Sequence, residues 1–247
     1  DYPAFIKYRG FNDVRSGGHF SGRITAPVVF AGAIAKQILA KQGIQIGAHI
    51  LSIKNEYDEN FDMRLSTKTL EYLRRQHYPV INQEKYEKFV NIVDAARMDQ
   101  DSVGGKVECA IIGLKLGEPF FDSIESHLSS LLFSIPAVKS VAFGNDKISE
   151  LFGSEANDCY YYQDALVKTT SNNNGGITGG ISNGMPVVFT VGIKPTPSIS
   201  KEQKTIDVKK HENTTLGVHG RHDPCIVFRA TVVVEAMAAL AMLDLVR

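Results

Sequence analysis

The densest group of residues able to do chemistry in this 247-residue sequence lies at positions 219–225. It holds an arginine, two histidines and an aspartate directly before a long apolar segment. Asp223 and Pro224 together are typical of a helix entry, with the aspartate as cap and the proline in the first turn. A helix N-terminus beside Arg221 would bind an anion, and the simpler alternative is a capped helix with solvated neighbours.

A metal site is the other alternative for this stretch. His219, His222 and Cys225 are spaced three apart, but this is not a standard zinc spacing. Pro224 also disfavours a helix that carries all three side chains. We therefore predict no metal ligands here.

A glycine-rich segment at 172–184 could approach a phosphate closely. The glycine pairs that begin at Gly175 and Gly179 expose bare backbone, and successive N–H groups can form an anion-binding nest. The segment is not a Walker A loop, because no Gly-Lys-Ser/Thr follows. It also precedes a strand, whereas a dinucleotide fingerprint would open a helix. A mobile surface loop is the alternative.

Polar residues also follow the next predicted strand, in the sequence KPTPS at 194–198. Pro195 and Pro197 stiffen the chain, while Lys194, Thr196 and Ser198 can contact a phosphate or a carbonyl. A strand exit stopped by proline is the simpler alternative.

Isolated charges add two further candidates. Arg23 follows a glycine-rich stretch at a predicted helix entry, where it could bind phosphate or carboxylate. Glu235 lies within an apolar helix, so its carboxylate must be paired, lie at an interface or act in a site. Arg229, six positions earlier, is not on the same helical face. His19 and His49 are interpreted as structural residues.

The elements that must position these residues follow from hydrophobic periodicity. In the helix over 119–133, Phe120 is expected to face inward. Because strands and helices interleave without βαβ regularity, we predict one mixed α/β domain. Helices are predicted over 26–42, 66–76, 83–98, 119–133 and 230–245, strands over 47–54, 106–112, 138–143 and 186–193, and loops over 1–22 and 198–220.

Composition narrows the class of protein. Hydrophobic residues make up 43% and charged residues 22%, which is typical of a globular chain. Lys and Arg total 27, as do Asp and Glu, so the formal net charge of zero argues against a general nucleic-acid or membrane-surface binder. The three cysteines predict no disulfide framework. The widely spaced cysteines favour a reducing compartment, and the sequence shows no signal-peptide pattern or uninterrupted membrane-spanning run.

Taken together, these stretches resemble the chorismate synthase family. The most specific is GRHDPCIVFRATVVVEAM over 220–237, where RHDPC precedes a helix that carries Glu-Ala-Met. The resemblance covers essentially the whole chain. Further stretches agree in the same order: AGAIAKQIL at 31–39, DSVGG at 101–105, LGEPFFD at 116–122, SIPAVK at 134–139, NNNGGITGGISNG at 172–184 and KPTPSI at 194–199.

The resemblance implies a β-α-β sandwich and a cytoplasmic homotetramer of the shikimate pathway, which makes aromatic amino acids. The family reaction is a 1,4-anti elimination of phosphate from 5-enolpyruvylshikimate 3-phosphate, which gives chorismate. It needs reduced FMN, causes no net redox change and is associated with NADP. The substrate is a polyanion, which suits the arginines.

The resemblance also implies that residues 1–247 are a single family domain, shortened at the N-terminus and slightly at the C-terminus. Two family histidines would then lie upstream of residue 1. The alternative hypothesis is a catalytically impaired fragment that binds FMN or an anion without turnover.

By resemblance, Asp223 matches a family aspartate that assists proton movement at the flavin, and Arg23 and Arg221 would bind the substrate. The chain reads HFSGRIT at 19–25 where many members read RSSARET, so Ser21, Arg23 and Thr25 are retained. The family's flavin contacts fall on His19, Phe20, Ser21, Pro136, Ala137, Gly179, Lys194, Pro195, Thr196, Pro197, Ser198 and Arg221.

Overall fold

A computed structural model describes residues 2–15, 17–220 and 222–246, which alternate between helices and short strands. The α-helices are α1 (Tyr2–Lys7), α2 (Ala26–Lys41), α3 (Thr67–Arg74), α4 (Gln83–Met98), α5 (Ile124–Leu132), α6 (Gly153–Ala156) and α7 (Val227–Leu245). The β-strands are β1 (Gln45–Ile53), β2 (Glu56–Tyr57), β3 (Gly105–Ile112), β4 (Val138–Phe143), β5 (Tyr160–Gln163), β6 (Leu166–Thr169), β7 (Ile177–Thr178), β8 (Ile181–Ser182), β9 (Val187–Ile193), β10 (Gln203–Asp207) and β11 (Glu212–Leu216).

Five strands form one antiparallel sheet in the order β2-β1-β3-β9-β4. Successive side chains point to opposite faces of the sheet. On one face, Val107, Cys109 and Ile111 of β3 join Phe189 and Val191 of β9 in the main core, and all five are fully buried. The other face of β3 and β9 is covered as well, and there Ala110 and Val188 pack with Leu65 and Leu70.

Helix α7 is the centre of the core and packs on the sheet, on α2 and on α5. It is apolar around most of its circumference, as is typical of a helix buried on all sides. A Cβ built on Gly32 of α2 would lie 2.3 Å from the Cβ of Ala236, so glycine permits the close crossing. Lys36 of α2 forms an ion pair with Glu235 of α7, whose other oxygen accepts the N–H of Ala48 at 2.8 Å. The Glu235 carboxylate thereby joins α7, α2 and β1.

The outer face of α2 carries exposed apolar side chains, among them Phe30, which is 71% exposed. Among the described residues, the helical stretch Gly22–Lys41 is long and apolar enough to cross a membrane. Its other face packs Gly32 on α7 and pairs Lys36 with Glu235, as a core helix does. Length and composition alone do not distinguish the two kinds of helix.

The mixed α/β fold is confirmed, and its main sheet is antiparallel. Helix α4 has the predicted bounds, because Asn82 caps it and accepts the N–H of Glu84 at 3.0 Å. The bounds of α2, α3, β1, β3, β4 and β9 lie within two residues of the predicted positions.

Other expectations are wrong. The first residues include a helix, α1, and the polar stretch 198–220 contains the paired strands β10 and β11. Helix α5 begins at Ile124 and not at Pro119, because Phe120 adopts a positive φ of 60° that breaks the helix. Phe120 is therefore 86% exposed and does not face inward. Helix α7 begins at Val227, three residues before the predicted start.

A buried cluster of ionisable side chains lies on the sheet face opposite α7. The His49 ring is fully buried, with Nε2 2.8 Å from Glu108 Oε2 and Nδ1 3.3 Å from Asp58 Oδ2. Burial by itself would lower the pKa of His49, but hydrogen bonds and charges from both carboxylates outweigh it and raise the pKa. Burial would raise the pKa of Asp58, but hydrogen bonds from His49 and from the N–H groups of Asn82 and Ile81 lower it overall.

We expect this cluster to make stability pH-dependent. Unfolded histidine loses its proton near pH about 6.5, whereas folded His49 still holds its own. The free energy of unfolding should therefore fall by about 1.4 kcal/mol per pH unit above that value, until the raised folded pKa is passed. Asp58 acts in the opposite sense, since its stabilisation is present above its unfolded value of about 4 and is lost as pH falls through the lowered folded pKa.

Urea unfolding between about pH 5.5 and about pH 9 measures the slope. His49→Gln should abolish it, and His211→Gln, at an exposed position, should leave it intact. Equal slopes in the unsubstituted chain and in His49→Gln would contradict the expectation.

We expect Gly32→Ala to destabilise the fold by about 1–3 kcal/mol, because the added methyl would collide with Ala236 across the α2–α7 crossing. The gain of about 1 kcal/mol in helix propensity offsets part of this cost. Gly153→Ala is the matched control, since a Cβ there meets nothing within 4 Å. Urea unfolding compares the two, and an unchanged midpoint in Gly32→Ala would argue against the close crossing.

Candidate functional site

Three loop segments meet at a cavity of about 160 Å³ beyond the C-terminal end of β9. They are residues 100–102 after α4, residues 198–200 after β9, and residues 220 and 222–224 before α7. Of the predicted site residues, Ser198 and Asp223 line this cavity. The lining residues are Arg97, Gln100, Asp101, Ser102, Ser198, Ile199, Ser200, Gly220, His222, Asp223 and Pro224.

A smaller cavity of about 100 Å³ lies between α2 and β1. Two cations line it, but Lys36 is paired with Glu235, and Arg74 donates to the carbonyl of Ile46 at 3.3 Å. The predicted site residues lie elsewhere, so this cavity is set aside as a candidate site.

The segments 136–137 and 194–198 lie side by side because β4 pairs with β9. The N–H of Lys194 donates to the carbonyl of Ala137 at 3.0 Å, just past the end of β9. Ala137 has a positive φ of 74°, a conformation that is uncommon for a residue with a Cβ. Two of the predicted flavin-contact segments are thus adjacent at one edge of the sheet.

The backbone carbonyl of Thr196 is hydrogen-bonded, whereas its side-chain hydroxyl is not. Its carbonyl accepts a hydrogen bond from the Ser102 hydroxyl at 2.7 Å. Its own hydroxyl oxygen is buried and has no hydrogen-bond partner among the described residues. A buried polar atom without a partner is costly, so the Thr196 hydroxyl has hydrogen-bonding capacity that the described residues leave unused.

Asp223 does not cap α7, contrary to the expectation. The capping position is Ile226, which makes no side-chain cap hydrogen bond. Asp223 Oδ1 accepts the N–H of Cys225 at 3.2 Å, and Oδ2 lies 3.3 Å from Nη1 of Arg229. The half-buried carboxylate is therefore held on the cavity wall by one backbone N–H and one guanidinium.

The residues expected from the metal alternative are not brought together. Cys225 is buried, and burial raises the pKa of its thiol to about 11, which disfavours the thiolate that a metal needs. His219 and His222 are exposed. Within residues 2–15, 17–220 and 222–246, no three His, Cys, Asp or Glu side chains are placed to hold a metal ion. Arg221, predicted to contact both flavin and substrate, lies outside the described residues.

The glycine-rich segment forms a hairpin in which Gly179 and Gly180 connect β7 to β8. Both glycines have positive φ, 63° and 89°, as a two-residue turn of this hand requires. A Cβ on Gly180 would lie 2.4 Å from the carbonyl oxygen of Glu118, whereas Gly179 is exposed and has open space around it. The exposed backbone of Gly179 can therefore be approached by a ligand.

Asp158 anchors the start of this segment. Its carboxylate accepts N–H groups from Asn173 and Asn174 at 2.7 and 2.9 Å and the hydroxyl of Ser171 at 2.6 Å. Burial would raise the pKa of Asp158, but these hydrogen bonds outweigh it and lower the pKa below its ordinary value.

The segment 19–25 does not line the cavity. His19 packs on Phe20 with ring centroids 4.2 Å apart, and Ser21 Oγ accepts the N–H of Arg23 at 3.2 Å. In the described part of the chain, no hydrogen bond or ring contact joins His19, Phe20, Ser21 or Arg23 to segments 136–137, 194–198 or 220–224. The Arg23 side chain is exposed and can reach an external anion.

Sequence reasoning missed Ser102 and the partner of Glu235. Ser102 lies in the DSVGG stretch, but a serine before a glycine turn carries no chemical signal of its own. Lys36, which pairs with Glu235, is 199 positions away in the sequence, and helical periodicity does not reach that far.

Known proteins similar to this chain agree on one family. The family model described as chorismate synthase matches residues 1–246. A chorismate synthase of Korarchaeum cryptofilum is 42% identical over 247 residues, which cover 99% of this chain and 68% of that protein. One of Pyrococcus abyssi is 44% identical over 248 residues, with the same coverage of 99% and 68%. A crystal structure of chorismate synthase superposes with a TM-score of 0.78 at 26% identity, covering 99% of this chain and 69% of that one.

We expect Asp158→Asn to destabilise the fold by about 1–3 kcal/mol at neutral pH, because an amide cannot accept all the hydrogen bonds that the carboxylate accepts. The lowered pKa sets the sign of the pH effect: the advantage of the carboxylate is present above the unfolded value and is lost as pH falls through the folded value. Urea unfolding at about pH 7 and about pH 3 measures both effects. Asp164→Asn, in an exposed turn, is the control; a loss that persisted undiminished at low pH would argue against the carboxylate as its cause.

Proposed function

The chain belongs to the chorismate synthase family, and we propose that it holds reduced FMN on the surface formed by residues 136–137 and 194–198. The family activity is a carbon–oxygen lyase reaction that eliminates phosphate from 5-enolpyruvylshikimate 3-phosphate and gives chorismate, and this is the function of the chain. The observation that carries the cofactor proposal is the buried hydroxyl of Thr196, which lacks a hydrogen-bond partner among the described residues.

The donors on this surface suit a flavin that carries a phosphate. Lys194 is exposed and cationic, Thr196 offers its hydroxyl, and Ser198 lines the cavity. The cavity, at about 160 Å³, is smaller than the roughly 300 Å³ at which small-molecule sites begin. The proposed binding surface therefore extends over 194–198, and we propose further contacts from Pro136, Ala137, Gly179 and residues 19–21.

When bound, reduced FMN supplies electron density as the substrate's C–O bond to phosphate breaks and recovers it as the proton leaves. We assign the proton step to Asp223. Its carboxylate lines the cavity and is oriented by the N–H of Cys225 and by Arg229. A carboxylate held in this way can accept a proton or orient the group that does so.

We assign the charges of the substrate to Arg23 and Arg221. Arg23 lies in the turn Gly22–Thr25 that leads into α2, and Ser21 fixes the backbone of this turn. An exposed guanidinium can bind a phosphate or a carboxylate through two parallel hydrogen bonds. The phosphate that leaves and the carboxylates that remain both need such partners.

Further proposals concern the whole chain. We propose that residues 1–247 form one domain, which is supported by a single large core that joins the sheet to α2, α5 and α7. A cytoplasmic homotetramer with an NADP-linked source of reduced flavin is proposed by analogy with the family. Apolar side chains exposed on α2, such as Phe30 and Ile34, support association. The balanced charge supports a small-molecule enzyme without a nucleic-acid or membrane partner.

The test is a titration with FMN, with and without 5-enolpyruvylshikimate 3-phosphate, followed by flavin absorbance and fluorescence, together with anaerobic turnover. We expect binding, a spectral change on adding substrate, and chorismate release. Asp223→Asn should lower kcat by about 100-fold or more while FMN binding changes by less than about twofold, because the assigned role is in the proton step.

Asp164→Asn, the exposed carboxylate control, should alter neither quantity. Absence of FMN binding would overturn the cofactor proposal. FMN binding without chorismate release would favour the alternative of an impaired binding fragment, and full activity in Asp223→Asn would remove Asp223 from the proton step.

A further inference from the structure

The DSVGG stretch at 101–105 has no role in the proposed cofactor, substrate or proton steps. It leaves the end of α4 and enters β3, and its first two residues line the cavity. It therefore lies between the proposed cofactor segment, 194–198, and the segment that carries Asp223.

The proposed cofactor segment, 194–198, has few backbone N–H groups with which to anchor itself. Pro195 and Pro197 have no N–H, so the backbone on both sides of Thr196 cannot donate hydrogen bonds. Beyond the N–H of Lys194, which donates to Ala137, the hydrogen bonds that hold the segment are made by its carbonyl groups. The carbonyl of Thr196 accepts the Ser102 hydroxyl at 2.7 Å, and that of Pro197 accepts the Gln203 side chain at 3.3 Å.

The same stretch also binds the other wall of the cavity. The N–H of Val103 donates to the carbonyl of Pro224 at 2.8 Å, in the residue next to Asp223. Gly104 lies against the end of β9, where a Cβ would be 2.3 Å from the carbonyl oxygen of Ile193 and 3.0 Å from Pro195. Three consecutive residues, 102–104, therefore contact both segments within a few ångströms.

We infer that Ser102 is a positioning residue, which acts through Thr196 to set the proposed cofactor surface relative to Asp223. The hydrogen bond to the Thr196 carbonyl restrains the peptide plane that follows this residue, and hence the position of the backbone that carries its buried, unpartnered hydroxyl. Val103 fixes the opposite wall from the adjacent position, so movement at Ser102 changes the spacing of the two walls. The inference rests on the proposed FMN function of Thr196.

The test compares Ser102→Ala with Ser102→Thr, which keeps the hydroxyl. Thr169→Val is the matched control, because the Thr169 hydroxyl makes an equivalent bond, 2.6 Å to the carbonyl of Ser171, on strand β6. For each variant the FMN dissociation constant, the flavin absorbance spectrum and the unfolding midpoint are measured. Hydrogen exchange of the Val103 and Lys201 amides is measured without FMN, since these donate to Pro224 and Gln100 across the cavity.

We expect Ser102→Ala to weaken FMN binding by about fivefold or more, the equivalent of one hydrogen bond, and to speed exchange at both amides. Ser102→Thr should restore binding to within about twofold. Thr169→Val should lower the unfolding midpoint by a similar amount while leaving FMN binding and the two amides unchanged.

An unfolding midpoint that falls in Ser102→Ala while FMN binding and exchange stay unchanged would overturn the inference and leave Ser102 a structural residue. A loss of FMN affinity in Thr169→Val as large as that in Ser102→Ala would overturn it as well. If the unsubstituted chain does not bind FMN, the cofactor proposal fails separately, and unchanged exchange at Val103 and Lys201 in Ser102→Ala would still refute the positioning role.

Discussion

The carboxylate of Glu235 is the interaction on which the arrangement of this fold depends. A charge within an apolar helix is costly to leave unpaired, because its desolvation takes a large part of the net stability of a domain. Lys36 and the N–H of Ala48 meet both of its oxygens, so the need for pairing fixes α7 relative to α2 and β1 together. The Gly32–Ala236 crossing allows the helices to come close enough for the ion pair.

The position of α7 in turn determines where the candidate site lies. Residues 220–224 lead into the N-terminal end of this helix, and the sheet presents the ends of β9 and β3 to the same region. The site residues lie in loops just outside these elements, where their side chains are not needed for packing. The core beneath thus carries a site to whose walls Ser102 and Val103 each contribute one hydrogen bond.

Local elements can be predicted from the sequence where the signal is local. Helix α4 has a capping asparagine and a regular apolar stripe, and its predicted bounds agree to the residue. The same reasoning fails at Phe120. Its apolar side chain fits a helical stripe, but its left-handed backbone conformation prevents α5 from beginning before it. Strands β10 and β11 are not predicted, because both are exposed and polar and show no alternation of apolar and polar residues.

The assembly of the site can be predicted only in part, because its contacts join residues that are distant in the sequence. Helical spacing shows that Arg229 and Glu235 do not share a helix face, but it does not identify the partner of either residue. The structure pairs Arg229 with Asp223 and Glu235 with Lys36. Ser102 meets Thr196 across 94 positions, through antiparallel register that periodicity does not specify. The family resemblance indicates which positions belong to the site, but not the distances between them. For Thr196 it indicates a contact residue, and the structure adds an observation that the sequence does not contain: the hydroxyl is buried and has no hydrogen-bond partner among the described residues.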